Sequence, residues 1–190
     1  CIYTRKLRHN CEKSNLKFQV VVKKNLILVG MMMVGKTTLG RIVAKSKGFE
    51  FIDTDDHIER KHSMSIKEIF EKKGEKFFRL EEKREINKIL KKNECVISLG
   101  GGAFVDKALR NNILKNSISI WLDLSIKILS QRAKWNKKRP LLKKTNNFEI
   151  IRDIYEKRKN IYKMANHKIL CDNLTKKSIA SMIEAIYEKY

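Results

Sequence analysis

Gly30-Met31-Met32-Met33-Val34-Gly35-Lys36-Thr37 is the stretch that decides the fold. It follows the apolar run Leu26-Ile27-Leu28-Val29 and leads into Thr38-Leu39-Gly40-Arg41-Ile42-Val43-Ala44-Lys45. The order is strand, tight turn, helix start. In that context the pattern G-x-x-x-x-G-K-[ST] is a phosphate-binding P-loop. Backbone N–H groups in the first turn of a helix lack intrahelical partners, and the helix dipole favours an anion there. Glycines let the backbone close around phosphate oxygens without a Cβ in the way. The candidate ATP contacts are therefore Gly30, Val34, Gly35, Lys36, Thr37 and Thr38, with the Thr37 hydroxyl a hard ligand suited to Mg²⁺. Three consecutive methionines make the loop bulkier and more apolar than its pattern requires.

Around this loop, short apolar runs alternate with helical patterns. A first strand is expected over 25–30 and a helix from Lys36 to Ser46, stopped at Gly48. Phe49-Glu50-Phe51-Ile52 reads as a second strand, followed by a short helix through His57-Ile58-Glu59-Arg60. A helix from Ser65 ends at Gly74, and a longer one runs from Glu75 to Lys91, with Arg79 and Glu82 spaced to pair. Cys95 to Leu99 is a third strand, closed by Gly100-Gly101-Gly102. Helix (Ala108–Leu114), strand (Ile118–Leu122), helix (Ser125–Ala133), helix (Asn147–Met164), strand (Lys168–Cys171) and helix (Lys176–Tyr187) complete the chain. Continuous apolar strands alternating with helices indicate an α/β fold: a three-layer parallel sheet of about five strands, with helices on both faces.

The 190 residues fit one domain, expected over 25–190, preceded by a basic extension, residues 1–24, expected to be flexible. Few serines in that extension speak against an organelle transit peptide, and no apolar h-region suggests a secretory signal. No apolar run is long enough to span a membrane. Net charge is +22, from 43 basic and 21 acidic residues. Because the lysines are spread along the chain, without aromatic interleaving, the charge suits anionic small substrates rather than specific nucleic-acid binding. Cys1, Cys11, Cys95 and Cys171 show no metal-ligand spacing, and Cys95 and Cys171 read as core residues; a reducing, cytoplasmic setting follows.

In a sheet of this kind, ligands gather at the carboxyl ends of the strands. Three polar clusters fall there: the P-loop, Asp53-Thr54-Asp55 and the triple glycine. An acid beside a P-loop can support Mg²⁺ or take a proton from an attacking hydroxyl. It can also cap the next helix, but two acids one residue apart exceed what a cap needs. Glycines after a buried strand suggest a substrate approaching the backbone closely.

These residues resemble the shikimate kinase family. The match includes Gly30 to Thr37, Phe51-Ile52-Asp53-Thr54-Asp55, Ser65-Ile66 with Ile69-Phe70, and Gly74-Glu75-x-x-Phe78-Arg79-x-x-Glu82. It continues through Gly100-Gly101-Gly102-Ala103, Arg139-Pro140-Leu141-Leu142 and Arg158-x-x-x-Tyr162, in order over about 26–188. The resemblance implies that Lys36 and Thr37 hold ATP phosphates and Mg²⁺, and that Asp53 supports the Mg²⁺ shell. It implies that Asp55 binds the hydroxyls of shikimate and acts as base or positioner, with Arg79, Arg158, Gly101 and Gly102 as further shikimate contacts. Arg139 resembles a lid arginine that closes over ATP and the transferring phosphoryl group, and Arg132 one that stacks on adenine. Lys36, Asp55 and Arg139 would then be catalytic. The implied activity is phosphorylation of the 3-hydroxyl of shikimate by a monomer. Two positions depart from the family pattern: Met33 replaces a loop glycine, and Asn160 replaces a proline and is expected to alter a helix end. Other small-molecule P-loop kinases, acting on gluconate or nucleoside monophosphates, share only the loop chemistry. A non-enzymatic, degenerate or RNA-binding relative is the reading from outside enzymology.

Overall fold

In the computed structural model, residues 24–134 and 147–190 are described. The basic stretch 1–23 lies outside them, as do Arg139, read from the sequence as a lid arginine, and Pro140. Five strands form one sheet: β1 (Asn25–Val29), β2 (Glu50–Asp53), β3 (Cys95–Ser98), β4 (Ser117–Asp123) and β5 (His167–Leu170). Every pairing is parallel and the order is β2-β3-β1-β4-β5. Leu26 of β1 stands beside Val96 on one side and Ile118 on the other.

All residues of β1, β3 and β4 are buried, which is why those strands read as continuous apolar runs rather than as alternation. The connecting helices are α1 (Lys36–Lys47), α2 (Thr54–His62), α3 (Ile66–Ile89), α4 (Lys107–Asn116), α5 (Ile126–Lys134), α6 (Asn147–Tyr162) and α7 (Lys176–Tyr187). The chain steps from β1 out to β2, then back across β1 to β4. Right-handed crossovers send the helices of these opposite steps to opposite faces. The expected three-layer architecture is present.

Local chemistry explains several boundaries. Gly48 ends α1 in the left-handed conformation, its N–H donating to the Ala44 carbonyl. Ser65 and Glu68 form a reciprocal capping box at the start of α3. α3 is two helical segments that meet at Gly74, as expected: its φ of 81° and ψ of 163° are non-helical and break the helix there. α2 is longer than its sequence suggests, because Asp53 caps it and ion pairs with α3 hold it. Asn160 lies in the last turn of α6, which ends at Tyr162. The core centres on β1, β3 and β4, with Trp121, Tyr162 and Phe104 its largest fully buried side chains. Cys95 and Cys171 are buried free thiols, as their strand positions implied.

Candidate active site

β1 lies between β3 and β4, so the P-loop after it opens into the crevice where strand order reverses. Gly30 has φ 139°, and a Cβ there would lie 2.5 Å from the Leu122 carbonyl oxygen. Gly35, φ 107°, is the N-cap of α1, so no side chain shields the helix's first amides. Val34 is buried beneath the loop and Thr38 is exposed at the helix start. The Lys36 ammonium is buried and donates to the Gly30 and Met31 carbonyls at 3.0 Å each, tying the lysine across the mouth of its own loop.

Thr37 Oγ1 donates to Asp53 Oδ2 at 2.7 Å. The other oxygen, Asp53 Oδ1, accepts from the Asp55 and Asp56 amides at 3.1 and 3.5 Å. Asp53 thus caps α2 and meets the P-loop threonine at once. Among the described residues no group of three or more His, Cys, Asp or Glu side chains could hold a metal. The donors that do converge suit Mg²⁺, which prefers one or two protein oxygens completed by phosphate and water.

Met33 takes φ 66°, a left-handed conformation that costs a non-glycine residue about 1 kcal/mol. Its side chain packs, partly buried, on the main core. Its carbonyl accepts from Arg132 Nη1 at 3.0 Å, and the Val34 carbonyl accepts from the same atom at 3.2 Å. The candidate adenine-binding arginine therefore reaches across to the loop from α5, its side chain exposed.

Beyond the loop lies a cleft lined by Met32, Asp55, Ile66, Phe70, Phe78, Arg79, Glu82, Gly100, Gly101, Gly102 and Arg158. It gathers every residue assigned to the acceptor from sequence, plus an apolar wall. Thr54 links its two sides. The Gly100 amide donates to Thr54 Oγ1 at 2.9 Å, and that hydroxyl donates to the Ser98 carbonyl. A Cβ at Gly100 would come within 2.5 Å of Asp55 Oδ1 and 2.8 Å of Glu82 Oε1. Two carboxylates therefore face one backbone carbon. At Gly102 a Cβ would meet Arg79 Nη1 at 2.6 Å, so the guanidinium lies directly over that residue. Arg158 Nη1 donates to the Gly101 carbonyl at 2.8 Å, and the buried Tyr162 hydroxyl donates to the same oxygen at 2.5 Å.

Arg79 is held by Glu82 at 2.8 Å and by Glu75 at 3.2 Å, and it lies 5.1 Å from the Phe78 ring centroid. Burial works against its charge, but the two carboxylates outweigh it and keep Arg79 ionised. Burial pushes the Glu82 carboxyl upward against the pull of Arg79, and the nearby Asp55 charge adds to the rise. Glu82 was legible only as the i,i+3 partner of Arg79; its second role, facing Asp55 across Gly100, has no signature in sequence. The catalytic assignment of Arg139 falls outside the described residues.

The family model for shikimate kinase matches residues 32–188. A shikimate kinase of Sulfurihydrogenibium sp. is 40% identical over 166 residues, 87% of this chain and 97% of that protein. One from Bacillus subtilis is 43% identical over 165 residues, 86% and 88% of the two chains. Among solved structures, a shikimate kinase from Acinetobacter baumannii in complex with shikimate superposes with a TM-score of 0.83. It is 34% identical, over 87% of this chain and 93% of that one.

Proposed function

The chain belongs to the shikimate kinase family, and on that premise we propose how its residues transfer the γ-phosphoryl group of ATP to the 3-hydroxyl of shikimate. The observation that carries the reading is the convergence of Asp55, Arg79, Arg158 and the Gly100–Gly102 backbone in one apolar-walled cleft beside the P-loop.

Shikimate is a carboxylate with three hydroxyls. Arg79 and Arg158 bind the carboxylate, each offering a planar fork of donors. Glu82 keeps Arg79 oriented, and Phe70 and Phe78 form the wall against the ring. The glycines at 100–102 leave room for the substrate next to the backbone. Asp55 fixes the hydroxyls and points the 3-oxygen at the nucleotide. As the bond from that oxygen to phosphorus forms and the bond from phosphorus to the ADP oxygen breaks, the hydroxyl proton passes to the Asp55 carboxylate.

On the nucleotide side, Lys36 releases its loop carbonyls for the phosphate oxygens, joined by the amides of Gly30, Val34, Gly35, Thr37 and Thr38. Thr37 and Asp53 would hold Mg²⁺, which would neutralise phosphate charge. Arg132 exchanges its loop contacts for the face of the adenine. Arg139 closes over the transferring group and excludes water, which limits ATP hydrolysis. Positioning and charge neutralisation are what phosphoryl transfer requires. The acceptor cleft is built by one chain, which supports action as a monomer. Two buried free thiols support a reducing, cytoplasmic setting. Residues 1–24 are read as an extension to a catalytic domain over 25–190.

A coupled ATP assay with and without shikimate tests the reading. Turnover that requires shikimate is expected. Turnover of gluconate or a nucleoside monophosphate instead, or salt-sensitive RNA binding without ATP turnover, would overturn it.

A further inference from the structure

Glu85 lies one turn beyond Glu82 on α3 and takes no part in the acceptor cleft. Its side chain is only 6% exposed, yet three cationic or protonatable groups converge on it. Lys61 Nζ is 2.6 Å away, Lys88 Nζ 3.0 Å and His57 Nε2 3.2 Å. Glu81, one turn earlier, receives Lys61 at 2.6 Å, His62 at 3.1 Å and Arg84 at 3.6 Å. His57, Lys61 and His62 come from α2; the other charged members come from α3. Lys61 bridges both carboxylates.

This network flanks a small apolar cluster in which Ile58 of α2 packs with Ile69 and Phe78 of α3. α2 buries only Thr54 and Ile58. Exposed ion pairs contribute little to stability, but a carboxylate taken out of water depends on its donors. Burial opposes ionisation of Glu85, and the hydrogen bonds from Lys61, Lys88 and His57 outweigh it. The first turn of α2 carries Asp55, two residues before His57. α3 carries Arg79 and Glu82 within two turns of Glu85.

We propose that Glu85 is a positioning residue: with Lys61 and His57 it clamps α2 to α3, and so sets the separation of Asp55 from Arg79 across the acceptor cleft. The proposal rests on the reading of that cleft as the shikimate site. A small loss of alignment there is felt mainly by the acceptor, because the link from α2 to the P-loop runs through its cap Asp53, which is fixed at the end of β2.

The test uses the full chain with Glu85→Gln and with Lys61→Met, the latter at a partly exposed position where folding is not at risk. Amide hydrogen exchange over residues 54–62 is measured alongside KM for each substrate. Both variants should speed exchange in that helix. Both should raise KM for shikimate by roughly threefold to tenfold while KM for ATP stays within about twofold. Glu85→Asp, which keeps the charge, should recover part of the shikimate affinity. Unchanged exchange in 54–62, equal shifts in both KM values, or no shift in either would overturn the clamp. Absence of shikimate-dependent turnover in the unmodified chain would instead overturn the functional reading, and the exchange measurement would still decide whether the two helices are clamped.

Discussion

Thr37 Oγ1 and Asp53 Oδ2 are 2.7 Å apart, so the first turn of α1 and the end of β2 are joined at the mouth of the P-loop. The pair brings together an oxygen from the helix that follows β1 and one from the end of β2, strands that are not neighbours in the sheet, since β3 lies between them. In the proposed reaction, this junction is where a metal carried on the nucleotide phosphates would be met.

Asp53→Asn should therefore weaken the response to magnesium. The apparent affinity for Mg²⁺ should fall about tenfold or more, with turnover reduced even at saturation. Rates measured against free Mg²⁺ at fixed ATP check this. A profile matching that of the unmodified chain would show that Asp53 serves only as the cap of α2.

Asp55→Asn should reduce turnover by about 10² or more, because the amide cannot accept the hydroxyl proton. Nucleotide affinity should stay within about twofold, since Asp55 lies on the acceptor side. Steady-state rates combined with equilibrium ATP binding separate the two effects. Near-normal turnover would remove Asp55 from its role.

Two glycine substitutions should fail in different ways. Gly102→Ala places a Cβ 2.6 Å from Arg79 Nη1, at the end of a long side chain that can move aside. Stability should hold within about 1 kcal/mol while KM for shikimate rises roughly tenfold. Gly30→Ala places its Cβ 2.5 Å from a backbone oxygen of Leu122 at φ 139°. That backbone cannot yield, and a loss of about 2–3 kcal/mol is expected in denaturant titration. Equal loss of stability in both would contradict the assignment.

Acid should unfold the protein partly through Glu85. Its folded pKa, about 2, lies below the ordinary value of 4.5, so its contribution is present above 4.5 and lost as pH falls towards 2. With Lys61 and Lys88 partly exposed, the contribution is about 2 kcal/mol after screening. Glu82 has the opposite sign: its pKa is raised, so its contribution favours the folded state below 4.5 and fades as pH rises through the folded value. Unfolding free energies from pH 2 to 7 should show a shallower acid limb for Glu85→Gln. An unchanged limb would show that the ion network does not act on the folded state.

The layered architecture and the three central strands were legible because strands covered on both faces are written as buried, largely apolar runs; the edge strands β2 and β5 were legible from the short pairs Phe51-Ile52 and Ile169-Leu170. The P-loop, Asp55, Arg79 and Arg158 were legible because each belongs to a short pattern whose spacing reflects local geometry. α2 was underestimated for a physical reason. Its sequence, Thr-Asp-Asp-His-Ile-Glu-Arg-Lys-His, carries one apolar residue, Ile58, and what holds it is a cap, the packing of Ile58 on Ile69 and Phe78, and ion pairs to another helix. Periodicity cannot report partners distant in sequence. Asp55 and Glu82 were missed as a pair facing each other across Gly100 for the same reason. Met33 stood out in sequence as a departure, and the structure gives it a left-handed backbone braced by Arg132.

The strand order also governs how the chain assembles during its own synthesis. β2 follows β1 directly yet does not pair with it, and the neighbours of β1 are β3 and β4. The amide of Cys95 reaches the Asn25 side chain across a separation of 70 residues. On the ribosome, the P-loop sequence emerges before either neighbour of its strand and has nothing to rest against until that later segment has been translated. The nucleotide cradle is made ahead of the strands that support it and can take shape only after them.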